Sequence, residues 1–367
     1  MRGKRTGYYL RYIKNRIRNI LRQGKRTVKE RKRVVRKYPT TIQLPITYKC
    51  NFDCIMCGMH HMVTRKDFTA KELFDILCDP LFQKVEYIGV NGGEPFIKPD
   101  IVECFEAMLQ ACPNLKTFGV ISNGFFTQKI LDVLSQVKPL CEKKGVTLNL
   151  ALSVDGVGEI QDMHRGREGA FEHVNETVDK ILQNQGKYVD GLSVICTLTR
   201  HNIYYVNEVE AWGNEKKIDI SYNIATVNVR IENEDREANF SVFSDEQARM
   251  LAQEFFYSKY IQTGEEKYFG LFLYLRDRKR YAPCPCQYNE WVTLTPDSQI
   301  GYCATHSRNL GSALETSAYE IFNGNLDYLE ELKKDYCKSC SHYLYELSAE
   351  GLKQLAEDQR KNIFVRG

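Results

Sequence analysis

From Thr41 onward the chain repeats one pattern six times: a short apolar run, then a longer stretch whose apolar residues recur every three or four positions. The short runs, 41–47, 85–90, 117–121, 146–153, 191–198 and 218–225, read as buried strands. The stretches 70–78, 99–112, 128–137, 171–185 and 204–213 read as amphipathic helices. Six such β/α units imply a parallel sheet with right-handed crossovers. A doubly wound sheet and an incomplete TIM-type barrel both fit, and in either one chemistry gathers at the C-terminal strand ends. Residues 226–282 are mixed and largely helical. From Pro283 the texture changes to cysteines, short strands and turns. No internal repeat is present.

Charge changes this picture at one end. Residues 1–39 hold 16 Lys and Arg against one acid, Glu30, a balance of +15, so the remainder carries −11. Leu10, Ile13, Ile17, Ile20 and Leu21 recur at helical spacing within this arm. A basic amphipathic helix suits an anionic membrane surface, giving peripheral contact through residues 1–39, and equally suits packing on the body. No apolar run is long enough to span a membrane and no apolar signal core opens the chain, so a cytoplasmic location is expected. Thirteen cysteines, an odd number in a chain without export features, point to metal and not to a disulfide framework.

The first apolar run leads directly into Cys50-Asn51-Phe52-Asp53-Cys54-Ile55-Met56-Cys57. Three thiolates spaced C-x3-C-x2-C can ligate three irons of a 4Fe–4S cube and leave the fourth open, as a catalytic metal requires. Zinc is the alternative, but it usually takes four protein ligands in two short-spaced pairs. The spacing resembles the signature of the radical S-adenosylmethionine (radical SAM) superfamily. The family's position before the last cysteine is commonly aromatic; here it is Met56. The resemblance implies a partial (β/α)6 TIM-type barrel, a catalytic 4Fe–4S cluster and bound S-adenosylmethionine. In that family the reduced cluster cleaves the sulfonium to a 5′-deoxyadenosyl radical, which abstracts hydrogen from substrate.

The second strand ends at Asn91-Gly92-Gly93-Glu94-Pro95. Gly92 and Gly93 would let a cationic ligand approach the backbone, and the Glu94 carboxylate would accept from an ammonium group. The family resemblance assigns this motif to the amino group of S-adenosylmethionine. Ser122-Asn123-Gly124 and Ser153-Val154-Asp155-Gly156 end the next two strands, and His164-Arg165-Gly166 follows. They resemble positions by which sulfatase-maturing relatives hold the ribose and carboxylate, Ser153 and Arg165 taking the carboxylate. Turn chemistry alone explains Asn123 and Asp155 equally well.

The C-terminal segment contains Pro283-Cys284-Pro285-Cys286, Cys303, and Cys337-Lys338-Ser339-Cys340. It resembles the twitch form of the SPASM module, which implies one auxiliary 4Fe–4S cluster. Its ligands would be Cys303, Cys337, Cys340 and either Cys284 or Cys286, with Cys286 preferred; a closed four-cysteine zinc site is the alternative. Cys78, Cys104, Cys112, Cys141 and Cys196 read as small core residues. The domain bounds that follow are 1–41 for the arm, 42–230 for the barrel, 231–282 for a helical connection, 283–345 for the cysteine module and 346–367 for a C-terminal helix.

Twitch- and SPASM-bearing relatives act on peptides, sulfatase residues, or sugars and aminocyclitols. The arm is too short and too basic for a peptide-leader domain, and the cysteine spacing resembles an aminocyclitol dehydrogenase. These features imply a carbohydrate-type substrate for oxidation, dehydration or epimerisation, and an electron donor such as flavodoxin or ferredoxin. Arg230 and Arg276 are candidates to pair with a substrate phosphate or carboxylate, and Asp277 is a candidate general base. Radical modification of a ribosomally made peptide is a second reading. A third is a non-enzymatic protein binding nucleic acid through its arm, although no specific recognition motif accompanies the charge.

Overall fold

A computed structural model describes residues 21–62, 66–342 and 344–365, and side chains as far as residue 360. Two compact units emerge. One comprises residues 36–252 and 285–336; the other comprises 253–284, 337–365 and the described part of the arm to Val35. The division falls twice within the cysteine-rich segment 283–345, after Cys284 and after Tyr336.

The first unit is built on a nine-stranded sheet in the order β6-β5-β4-β3-β2-β1-β7-β8-β9. Its parallel part comprises β1 (Thr41–Pro45), β2 (Tyr87–Asn91), β3 (Thr117–Ser122), β4 (Thr147–Ser153), β5 (Gly191–Leu198) and β6 (Ile220–Ile224). Each strand pairs with the next in sequence, so the order never reverses. That excludes the doubly wound alternative, which needs a switch point, and leaves an open (β/α)6 partial barrel. The chain then adds β7 (Trp291–Leu294), parallel to β1, followed by antiparallel β8 (Gln299–Gly301) and β9 (Gly311–Ser312).

Alternation along the strands separates two faces. Ile42, Leu44, Ile88, Val90, Phe118, Val120, Leu148, Leu150, Leu152, Val194, Cys196 and Leu198 are buried on the helix side. Phe105, from helix Ile101–Ala111, meets Phe118 edge-on at 5.0 Å between ring centroids. The opposite face carries one lateral row of small or neutral residues: Thr293, Gln43, Gly89, Gly119, Asn149 and Gly191. The Tyr87 ring lies across this row; a Cβ on Gly119 would stand 1.9 Å from its hydroxyl.

Helix Thr127–Lys144 runs seven residues beyond its expected end, through Pro139. Proline removes one hydrogen bond, yet Val133, Leu134, Val137 and Cys141 keep the helix on the core. Gly145, at φ +68°, ends it.

The second unit packs helices around Phe269, Leu273, Tyr281, Leu347, Leu352 and Leu355. The arm is helical over 21–31 and tied into this unit by charge. Arg22 pairs with Glu266, Arg26 reaches Glu266 at 3.4 Å and Glu346 at 2.7 Å, and Lys29 reaches Glu346 at 3.0 Å. The Ala349 amide donates to Glu30 at 3.0 Å. This part of the arm is thus packed on protein, although Leu21 is exposed; Leu10, Ile13, Ile17 and Ile20 lie outside the described residues. Among the described residues no helix is long and apolar enough to cross a membrane.

If these pairs hold the arm helix, Arg26→Ala should weaken it locally by about 1 kcal/mol, or roughly fivefold faster amide exchange over 21–31. Hydrogen exchange read by mass spectrometry should show that change with strands β1–β6 unaltered. Unchanged protection would show that the ion pairs do not hold the helix.

Candidate active site

Strand β1 delivers the chain to Thr47–Cys57, and this loop is held from outside by backbone. Thr47 donates its hydroxyl to Asp67 at 2.5 Å, and the Tyr48 amide donates to the same carboxylate at 3.0 Å. The Gly93 and Glu94 amides donate to Thr47 and Lys49 carbonyls at 2.9 and 2.8 Å. At four glycines a side chain would collide with main-chain oxygen. A Cβ would lie 2.5 Å from Thr47 O at Gly92, 1.9 Å from Lys49 O at Gly93, 2.2 Å from Asp53 O at Gly166, and 2.0 Å from Ile231 O at Gly58. Gly92 and Gly166 also have positive φ, +131° and +62°. Gly92 and Gly93, read from sequence as room for a ligand, are needed first as room for the cysteine loop.

Two further clamps come from the segment after β6, which sequence reasoning did not single out. Asn233, fully buried, donates to the Met56 carbonyl at 2.8 Å. Arg236 donates to the Cys57 carbonyl at 2.9 Å and to Asp53 at 3.2 Å, and contacts His61. An asparagine and an arginine in a polar stretch carry no pattern that would mark them.

Cys50, Cys54 and Cys57 fall in one apolar cluster with Phe52, Met56, Phe125 and Ala170. Met56 packs where the family commonly has an aromatic residue. Burial pushes the Cys50 thiol up to about 12 and the Cys57 thiol up to about 11; burial also raises Cys54, against the pull of Arg165. Iron must therefore displace protons here. The Met59 amide donates to Cys57 Sγ at 3.4 Å, and Arg165 Nη1 donates to Cys54 Sγ at 3.8 Å. Among the described residues no three His, Cys, Asp or Glu side chains converge on a single-ion site. A 4Fe–4S cube takes each thiolate on a different iron. The donor set fits a three-cysteine cluster.

Glu94 lies buried at the end of β2. It is 1% exposed and accepts from the Phe96 amide (3.1 Å), the Ser122 hydroxyl (2.9 Å) and the Asn123 amide (2.8 Å). Burial pushes its carboxyl up to about 7, against those donors. Its side chain straps the end of β2 to the end of β3. Asn123 donates to Asn51 at 2.8 Å, bringing the end of β3 to the cysteine loop.

Asp155 is no simple turn residue either. It is 1% exposed, 2.6 Å from Arg165 Nη2 and 2.9 Å from His164 Nδ1, and accepts from the Thr197 amide at 2.6 Å. Despite burial, Arg165 and His164 hold its carboxyl below the usual range. Ser153, at the end of β4, is buried, and its carbonyl accepts from Gln161 at 3.0 Å.

The remaining candidates separate. In the barrel unit, Arg230 lies beside Gly301, whose added Cβ would be 3.7 Å from Nη1. Burial lowers its pKa while Tyr48, Cys303 and Asp297 raise it. Nη1 is enclosed without a hydrogen-bond partner, and the Tyr48 hydroxyl donates to Asp297 at 2.6 Å. In the helical unit, Arg276 donates to both Asp277 oxygens at 2.7 and 2.6 Å, and Tyr281 donates to Asp277 at 2.8 Å. The Arg276 hydrogen bonds hold the Asp277 carboxyl below its ordinary range. These two residues pair with one another.

The C-terminal cysteines fall in both units. Cys286 and Cys303 belong to the barrel unit, where Cys303 Sγ accepts from the His306 amide at 3.3 Å. Cys284, Cys337 and Cys340 belong to the helical unit, where Cys340 Sγ accepts from the His342 amide at 3.4 Å. Cys104, Cys112, Cys141 and Cys196 are core residues as expected, but Cys78 is exposed.

Residues 44–208 match the family model described as the Radical SAM superfamily. A GTP 3′,8-cyclase of Saccharophagus degradans is 26% identical over 273 residues, covering 74% of this chain and 73% of that protein. Human molybdenum cofactor biosynthesis protein 1 is 26% identical over 146 residues, 39% of this chain and only 22% of that longer protein. Among solved structures, anSMEcpe with bound AdoMet aligns with a TM-score of 0.60 at 18% identity, over 88% of this chain and 98% of that one. Streptococcus suis SuiB bound to its precursor peptide SuiA aligns at 0.57 and 13% identity, over 91% and 80%. At these identities the structures show the shared fold.

Adding one methyl group at Gly93 should displace the cysteine loop, because the obstructing atom is backbone. Gly93→Ala is expected to keep its far-ultraviolet circular dichroism and lose most of the iron bound at Cys50, Cys54 and Cys57 after reconstitution. Full iron content in that variant would show that the close approach is dispensable.

Proposed function

Because residues 44–208 form a radical SAM domain, we propose that this enzyme generates a 5′-deoxyadenosyl radical and uses it to take hydrogen from a small, hydroxyl-bearing, anionic substrate of carbohydrate or nucleotide type. The observation that carries the chemistry is the braced loop of Cys50, Cys54 and Cys57, with Arg165 donating to one of its sulfurs. A 4Fe–4S cluster bound there supplies the electron that cleaves S-adenosylmethionine. Around it, this chain's residues bind and orient. Arg165 keeps an enclosed Nε with no hydrogen-bond partner, suited to the cofactor carboxylate beside Ser153. Asn123 and the backbone of Gly92 and Gly93 lie at neighbouring strand ends.

Two features support the substrate class. The open face of the barrel presents neutral, mostly small residues floored by Tyr87, which suits a hydroxylated molecule. Arg230 supplies an enclosed donor without a partner, suited to a phosphate or carboxylate. The relatives named GTP 3′,8-cyclase take their name from a substrate that is both hydroxylated and anionic. The twitch-like cysteine spacing after residue 282 supports one auxiliary 4Fe–4S cluster, which would accept an electron from the substrate radical. Reducing equivalents would come from a flavodoxin or ferredoxin. The arm cations Arg22, Arg26 and Lys29 pair with carboxylates of the same unit.

Reduced enzyme given deuterated nucleotide, sugar phosphate and peptide candidates should transfer deuterium to 5′-deoxyadenosine from one of the first two. The variant with Cys50, Cys54 and Cys57 all changed to Ala should form no 5′-deoxyadenosine. Transfer from a peptide alone would overturn the substrate class and spare the radical mechanism; cleavage by the triple variant would overturn the mechanism.

With the substrate in hand, Arg230→Gln should raise KM at least tenfold, the loss of one charged hydrogen bond to an anion, while uncoupled cleavage of S-adenosylmethionine continues. Unchanged KM would remove Arg230 from the substrate site.

A further inference from the structure

The buried polar chain behind the cysteine loop is more elaborate than holding a cofactor carboxylate requires. Arg165 is the last residue of the short helix Glu159–Arg165 and is 8% exposed. Its guanidinium has three separate edges. Nη2 meets Asp155 at 2.6 Å, Nη1 donates to Cys54 Sγ at 3.8 Å, and Nε is enclosed without a partner. Behind it, His164 is fully buried, with Nδ1 2.9 Å from Asp155 and Nε2 3.1 Å from the Thr199 hydroxyl. Asn202 accepts from the Thr199 amide at 2.7 Å and donates to the Asp155 and Thr197 carbonyls at 2.8 and 3.0 Å. Gln161 accepts from the Asp155 amide at 2.7 Å. Every member is tied to at least one other, so the guanidinium has little freedom to swing away.

The same helix end is locked to the cysteine loop by backbone. The Ile55 amide donates to the His164 carbonyl at 3.1 Å, and Gly166 lets Asp53 approach as closely as it does. The cation and the sulfur are therefore held in one frame. A buried arginine is costly unless paired, and the chain meets that cost with a buried carboxylate and a histidine. A fixed cation beside a ligand sulfur favours whichever cluster state carries more negative charge, which is the reduced one.

We propose that Arg165, anchored by Asp155 and His164, is a positioning residue that sets the reduction potential of the cluster at Cys50, Cys54 and Cys57 through its hydrogen bond to Cys54. This rests on the radical SAM reading above and adds a role that cofactor binding does not need. Its free Nε edge would let one guanidinium touch both the cofactor and a cluster ligand. Occupancy of the cofactor site would then be felt at the sulfur.

The test is a redox titration of the reconstituted cluster, followed by electron paramagnetic resonance, without S-adenosylmethionine or substrate. The background carries Cys303→Ala, Cys337→Ala and Cys340→Ala, so that only the first cluster reports. Arg165→Gln should move the midpoint to more negative potential. Arg165→Lys, which keeps the charge but cannot span Asp155 and Cys54 with one planar fork, should move it less in the same direction. A midpoint equal to that of the parent in either variant that retains its iron would overturn the proposal. Loss of the cluster from both variants would also overturn it, by reducing Arg165 to a structural support. A parent protein with no reducible cluster would instead overturn the radical SAM reading itself, so the two failures are distinguishable.

Discussion

Everything at this site depends on main chain touching main chain. A loop that offers three sulfurs to a cluster cannot also fold around a core of its own, since its side chains are committed outward to the metal. Its shape must be imposed by neighbours, and the firmest contact a neighbour can offer is its backbone. Glycine permits that approach, and Gly58, Gly92, Gly93 and Gly166 permit it from several directions. The peptide hydrogen bonds from Gly93, Glu94 and Ile55 are made at those contacts or beside them.

Seen this way, the strand-end motifs have a layered role. Glu94 accepts from Ser122 and Asn123 and so joins two strand ends below the loop. Asp155 does the same between Arg165, His164 and Thr197. Both acidic residues are buried acceptors that tie neighbouring strand ends together. Replacing either would leave buried donors unpaired, a larger penalty than the loss of an exposed contact.

The barrel strands were legible in the sequence because apolar residues recur along each of them between turn signals, and all six appear within two residues of where the pattern puts them. The cysteine triad was legible because its spacing is short and its chemistry specific. Other features left no such trace. Helix Glu159–Arg165 is only seven residues long and follows Gly158 without a side-chain cap, so nothing marks its start. Helix Thr127–Lys144 continues past Pro139 because burial outweighs one missing hydrogen bond. Asn233 and Arg236 act on residues about 180 positions earlier in the chain, a distance across which no local pattern can speak. The mutual pairing of Arg276 with Asp277 is likewise a contact that a polar segment does not announce.

The parallel pairing of β7 with β1 has a consequence for how the protein could be dissected. The strand that leads into the cysteine loop is an interior strand only because residues 291–293, far along the chain, cover its outer edge. The matched domain at 44–208 stops short of both that cover and β6. A fragment cut at those limits would begin with half a first strand and expose its unpaired amides and carbonyls, an invitation to sticky edge-to-edge association. The smallest piece that could fold cleanly is therefore discontinuous in sequence, and the C-terminal segment serves as a sheath for the catalytic strand whatever else it binds.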